Sequence, residues 1–402
     1  MKNVLVWGVL GFTSIVNGAV QDKTKSFAED VKFLNQHTHV IVLKKGATRA
    51  AIVPAWQCRV VTSALGAEDP GFGFINYPFI ASDKLVPHIN VFGGEDRIWL
   101  GPEGGQFSIF FKGGSKFDLA HWQTPAPIDS EPYRVVSKSA DSVTCSKRAR
   151  VVNYSGTKFD VKITRTVKLL SPGDANSILG IPKSTDVNVV GYETKNVLTN
   201  EGRKPWTEKT GLLSLWVLGQ LKHSPTTTVI APYHAGPVDK LGPVVNDTYF
   251  GKVPADRLKV GDQAVFFKVD GKYRSKIGFN PRRSLDVIGS YDSAKGVLTI
   301  IKFSKPAGVT RYVNSMWEIQ AHPFAGDSLN SYNDGPPSPG AKPLGPFYEV
   351  ESSSPAAALS PGRSIIHLSR TFHFQGPKAA LQNIATKVLG VDLGEVASKF
   401  SS

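Results

Sequence analysis

Apolar and polar residues alternate with a period of two over much of the chain, the spacing that gives a β-strand one dry and one wet face. The segment FDVKITRTVKLL shows it most cleanly. Phe159, Val161, Ile163, Val167 and Leu169 share one side, while Lys162, Thr164, Thr166 and Lys168 share the other. Comparable runs recur in HVIVLKK, AAIVPAW, QFSIFFK, GLLSLWVLG, AVFFKV, VLTIIKF and SIIHLSRTFHF. Turn-forming clusters such as SPGD, NEGRKP and NDGPPSPG separate them, since Gly, Pro, Asn and Asp supply the dihedrals that chain reversals need. Helical spacing is confined to the ends. Phe27, Val31 and Leu34 predict a short helix over 26–35, and Leu381, Ile384, Val388 and Leu389 predict another that opens at Pro377 and stops at Gly390. The expected organisation is a helical segment over 20–38, one large antiparallel β domain over 39–374 and a C-terminal helix over 375–402. No repeat of solenoid or propeller period is present.

The first residues change the picture of where the chain works. Lys2 precedes the apolar run VLVWGVLGFTSIV, and small residues follow at Gly18 and Ala19, the layout of a secretory signal peptide. Residues 1–19 are therefore expected to be a signal peptide and the mature protein to be periplasmic or extracellular; a buried N-terminal strand is the alternative. No later run reaches the ~20 apolar residues of a membrane span. Hydrophobic residues make up 41% and charged residues 20%, a globular balance. The net charge of +14 suits an acidic partner, but Lys and Arg are scattered and no nucleic-acid module is present. No nucleic-acid partner is expected, and an acidic glycan is compatible.

Chemistry narrows next. An exported compartment permits a disulfide between Cys58 and Cys145, although sequence leaves them paired or free, and two cysteines exclude a cysteine-based zinc site. There is no Gly-x-Ser-x-Gly elbow, phosphate loop or reactive-cysteine context, and neither cofactor nor metal is expected. Glu349 and Glu351, two apart on a strand, point to one face about 6.5–7 Å apart. Such carboxylates can push their pKa values apart into an acid and a base, or bind a cation together, unless they are only a solvent-facing pair. GGEDRIWLGPEGG gathers Glu95, Asp96, Arg97, Trp99 and Glu103 among glycines; Arg97 suits forked hydrogen bonds to hydroxyls or a carboxylate, and Trp99 suits stacking on a sugar face. His121 and Trp122 in FDLAHWQTP, and His88 in VPHINVFGG, are further candidates for acid–base work or binding. Tyr332, Asn333 and Asp334 in SYNDGPP read as a tight turn in a polar loop where binding groups collect. NSMWEIQ reads as alternating, with Trp317 opposite Met316. GKYRSKIGF sets Lys272, Arg274 and Lys276 on one strand face, either to recognise an acidic sugar or as the wet side of a sheet. Arg165 interrupts an apolar face and requires a partner carboxylate or a lined cavity, structural pairing being the expectation. His367 and His373 lie opposite Leu368, Phe372 and Phe374 and are expected to face outward.

Four segments in order resemble the galactose-mutarotase (aldose 1-epimerase-like) superfamily: ATRAAIVPAWQCRVVTSALG, GGEDRIWLGPEGG, GYETKNVLTNEGRKPWTEKTGLLSLWVLG and FYEVESSSPAAALSPGRSIIHLSRTFHF. Together they span roughly residues 45–374, and the pattern is most similar to a set of exported bacterial proteins of that superfamily. The resemblance implies a large two-layer antiparallel β-sandwich, a supersandwich, with short helices at both ends. It also implies a carbohydrate partner, with Glu351 as base on an anomeric hydroxyl and Arg97 and His121, 24 positions apart, as substrate-binding groups. The superfamily's acid histidine has no counterpart here, since GLLSLWVLG occupies its segment. The expected function is action on a sugar or oligosaccharide, epimerase-like, hydrolytic or lyase, with Glu351 as base and His121 or a second carboxylate as acid. The alternatives are a non-catalytic exported glycan-binding protein and an envelope structural protein.

Overall fold

A computed structural model describes residues 25–338 and 340–400; the expected signal peptide, residues 1–19, lies outside them. Two antiparallel sheets carry the architecture. The larger has ten strands in the order Leu258–Val260, Ala264–Lys268, Thr227–Pro232, Val287–Asp292, Val297–Phe303, Ser364–Gln375, Asn188–Asn200, Lys158–Leu170, Ser142–Val152 and Arg134–Lys138. The smaller has five, in the order Ser275–Phe279, Leu329–Asn333, Phe347–Ser353, Ser214–Lys222 and Arg97–Gly101. The sheets stack, and their facing sides share apolar clusters: Ile98, Leu100 and Leu215 meet Val161, Ile163 and Leu198, while Ile277, Phe279 and Val350 meet Val229, Phe267 and Ile301. This is the expected two-layer sandwich.

A three-stranded sheet, Ile41–Lys45, Thr48–Val53 and Arg59–Ala64, sits beside the sandwich. The helix Phe27–His37 covers it with Phe27 and Leu34, and Ser26 and Glu29 close a capping box at its start. A disulfide joins Cys58 to Cys145, tying this small sheet to the strand Ser142–Val152. The C-terminal helix Lys378–Leu389 ends at Gly390, whose φ of +69° favours glycine. Together with a short helix, Leu393–Ser398, it packs Leu381, Leu389 and Leu393 on the outer side of the large sheet against Phe372 and Phe374.

That covering reverses one expectation. Because helices shield Phe372 and Phe374, the alternate residues of the same strand face the inside, and His367 and His373 are buried between the layers. His367 Nε2 meets Ser352 Oγ at 2.9 Å, and His373 Nε2 lies 3.2 Å from Glu95. Arg165 finds the buried partner its position required, pairing with Asp96 and hydrogen-bonding Asn196 Oδ1 at 2.8 Å. The SPGD segment, expected as a turn, opens an eight-residue helix, Pro172–Leu179, because Ser171 and Asp174 form a capping box. SYNDG also differs: Tyr332 and Asn333 end the strand Leu329–Asn333.

Candidate functional site

The side of the five-stranded sheet turned away from the large sheet is concave. Pairing sets its polar residues in rows: Arg97, Leu218, Glu351 and Asn330 align across four strands, and Gln220, Glu349, Tyr332 and Lys276 align one step along. Successive strand residues alternate faces, so Phe347, Glu349 and Glu351 point outward while Tyr348 and Val350 enter the core. Loops roof this face, bringing His88, Ile89, Leu119, Trp122, Phe250, Trp317 and Leu344 around a cleft of about 540 Å³.

Two ion pairs occupy its floor. Arg97 Nη2 donates to Glu349 Oε1 at 2.6 Å, and Gln220 Nε2 donates to the same oxygen at 3.0 Å. Lys276 Nζ donates to Glu351 Oε2 at 2.9 Å, joined by Trp216 Nε1 at 3.0 Å. Burial raises the Glu351 carboxyl above its ordinary range, with Lys276 opposing that rise and Glu349 adding to it. Burial also pulls on the Lys276 ammonium, but Glu351 and Glu103 outweigh it and hold the group above its ordinary value. Arg97 lies 4.2 Å from the centre of the Trp99 ring. Arg274 stacks 3.8 Å from the Phe250 ring and donates to the Tyr332 hydroxyl at 3.3 Å, which in turn donates to Asp334 at 2.7 Å.

Several buried polar atoms of the cleft residues have no partner among the described residues: Glu351 Oε1, Arg97 Nε, Gln220 Oε1, Trp99 Nε1 and Trp122 Nε1. A buried polar group without a partner costs roughly 1–3 kcal/mol, so these atoms favour a hydrogen-bonding partner within the cleft. Glu103 reaches the same cleft, and burial pushes its carboxyl up to about 7, with Lys276 opposing and Glu351 reinforcing the rise.

The structure brings together Glu349, Glu351, Arg97, Trp99, Trp122, Arg274 and His88, the last hydrogen-bonded through Nδ1 to Trp122 O at 2.6 Å. His121 does not join them. Its neighbours Leu119, Ala120 and Trp122 line the cleft, whereas His121 turns to solvent and pairs with Asp118 at 2.6 Å. Glu95 lies between the layers, accepting from Ser63 Oγ at 2.8 Å. Asn333 faces inward and braces a turn, accepting from Gly271 N at 3.0 Å and donating to Tyr273 O at 2.9 Å. Asp334 stands behind the lining, accepting from the Tyr332 hydroxyl and from Gly345 N. Lys276, Trp216, Gln220 and Trp317 complete the site. Lys276 was legible only as one of three cations on a strand face, and Trp317 stands on a loop where alternation suggested a strand.

Residues 25–400 match the model of a family of unknown function, DUF6786. The chain belongs to this family. No curated protein sequence matches the DUF6786 chain. Among solved structures it is similar to an aldose 1-epimerase candidate from Escherichia coli K12, with a TM-score of 0.50 and 13% identity, over 84% of this chain and 99% of the other. A galactose mutarotase-like protein from Lactobacillus casei gives a TM-score of 0.43 and 11% identity, over 84% of this chain and 100% of the other. A Synechocystis protein gives 0.47 and 11%, over 85% and 96%. The likeness to the Escherichia coli protein shows that the chain has the aldose 1-epimerase-like fold expected from the sequence.

Proposed function

We propose that the cleft binds a sugar or the end of an oligosaccharide and that Glu351 takes a proton from it. One observation carries this reading: unpartnered polar atoms on Glu351, Arg97, Gln220, Trp99 and Trp122 converge inside aromatic walls. A sugar ring offers what both need, hydroxyls for the polar atoms and a C–H face for indole rings. Glu351 suits the base because Lys276 and Trp216 both serve Oε2 and leave Oε1 unengaged. Arg274, without a carboxylate in its own contacts, suits an acidic substituent. Epimerase-like and lyase reactions remove a proton from the sugar, and inverting hydrolysis removes one from the attacking water, so a carboxylate base serves all three. Export to an oxidising compartment is part of the proposal, supported by the Cys58–Cys145 disulfide and the signal-like start of the chain; cell fractionation tests it.

The test is Glu351→Gln, assayed on a panel of aldoses and oligosaccharides for anomer exchange and bond cleavage by NMR, with binding followed on a glycan array. Turnover should fall by about 10²–10⁴-fold while binding persists. A second reading, glycan binding without turnover, is favoured by the ion pairs that already engage both carboxylates. Binding by the unaltered protein with no reaction on any substrate supports it, and neither binding nor reaction overturns both.

A further inference from the structure

Among the described residues, Glu103 is the one carboxylate lining the cleft that is not ion-paired. It follows the strand Arg97–Gly101, and its backbone is held at both ends: its N–H donates to Ser315 Oγ at 3.2 Å, and its carbonyl accepts from Ser108 Oγ. None of the described residues hydrogen-bonds its carboxyl group. The side chain borders both the main cleft and a side pocket of about 130 Å³ that it shares with Arg274, Lys276 and Trp317. Four charged groups act on it: Lys276 and Arg274 from one side of the sheet, and Glu351 and Glu349 from the strand Phe347–Ser353. The ammonium of Lys276 is committed to Glu351 at 2.9 Å, so Glu103 has a cation nearby and none bonded to it.

We propose that Glu103 is the proton donor of this cleft and works as a pair with Glu351, standing in for the histidine acid that the sequence lacks. The inference rests on the carbohydrate reading above. Burial raises both carboxyl groups, but their hydrogen bonding differs. Glu351 receives two donors on one oxygen, which oppose that rise and favour its ionised form, whereas half-buried Glu103 receives none and has nothing bonded to it that holds it ionised. For a cyclic hemiacetal in the cleft, Glu351 Oε1 takes the proton of the anomeric hydroxyl and C1=O forms. The bond from C1 to the ring oxygen breaks, its electron pair stays on that oxygen, and the Glu103 proton is delivered there. The product is the open-chain aldehyde with one new hydroxyl, Glu351 protonated and Glu103 ionised. Closure on the other face of the carbonyl reverses both transfers and restores both residues.

The experiment follows anomer exchange by NMR from pH 5 to 9 in the unaltered protein and in Glu103→Gln, Glu103→His and Glu351→Gln. The unaltered rate should decline as pH rises past about 7, where Glu103 loses its proton. Glu103→Gln should cut kcat by about 100-fold with KM little changed and remove that decline, and Glu103→His should recover part of the rate. If Glu351→Gln abolishes exchange while Glu103→Gln retains both rate and pH profile, the assignment of Glu103 is wrong and the carbohydrate reading stands. If no sugar is turned over by the unaltered protein, the assignment of Glu103 falls, and glycan-array binding decides whether the carbohydrate reading falls with it. Should Glu103→Gln fail to fold, the unaltered pH profile decides, because a rate that does not decline above neutrality overturns the assignment.

Discussion

Replacing Lys276 with Met removes one half of the buried pair that holds Glu351. Both groups are nearly inaccessible, with side chains 8% and 1% exposed, and their charged atoms lie 2.9 Å apart. At that separation and an effective dielectric of ~20, the attraction is on the order of 6 kcal/mol before desolvation is subtracted. Leaving a buried charge alone costs about 3–5 kcal/mol in practice, and Glu351 escapes part of it by taking up a proton. The sign follows from where that proton binds. In the variant, the Glu351 carboxyl of the folded protein rises further above the unfolded value near 4.3. Stability is then retained near or below that unfolded value and declines as pH rises toward the new folded one, by up to ~1.4 kcal/mol per pH unit. Urea unfolding should therefore show a larger loss for Lys276→Met at pH 8 than at pH 5. Adding Glu351→Gln should recover much of the loss at pH 8, since no carboxylate is then stranded. Equal losses at both pH values, or a double variant whose loss is the sum of the singles, would refute the reasoning.

Three further outcomes can be checked. His367, buried with its titration pushed down to about 3, stays neutral in the fold while it charges near pH 6.5 when unfolded; lowering pH from 6.5 to 5 should cost about 2 kcal/mol in urea unfolding, and His367→Gln should lack that contribution. His121→Ala should leave sugar turnover and melting temperature unchanged, because the side chain contacts Asp118 at the surface and not the cleft; lost turnover would return His121 to the chemistry. The paired change Cys58→Ser and Cys145→Ser removes a link across 87 positions and should lower stability by on the order of 4 kcal/mol, read as a reduced urea midpoint.

Period-two alternation made the strands legible, and with them the shared face of Glu349 and Glu351 and the pairing of Arg97 with Trp99. It says which residues lie together on a face, and nothing about what covers that face. That limit accounts for two misjudged regions. His367 and His373 looked external because Phe372 and Phe374 are apolar, yet those phenylalanines meet the C-terminal helices on the far side of the large sheet. Lys276 sits in an ordinary cationic alternation but is buried because loops carrying Phe250 and Trp317 roof its sheet. His121 shows another limit. Distance along the chain from Arg97 fixes neither the course of the intervening loop nor the direction of one side chain on it. Glu103, on a loop after Pro102, was visible as an acidic residue near Arg97, but its place in the cleft depends on strands far away in sequence.

The strand Phe347–Ser353 has all seven residues buried, one side toward the cleft and the other fastened to the large sheet through Tyr348–Ser290 and Ser352–His367. Evolution and the protein engineer face the same restriction there, because no position on that segment is free to drift. The room for change lies in the roof, at Leu119, Phe250 and Leu344, whose side chains are exposed and can be exchanged without repacking the floor. A mutagenesis library confined to those three sites should yield mostly folded variants, and one spread along the strand should not.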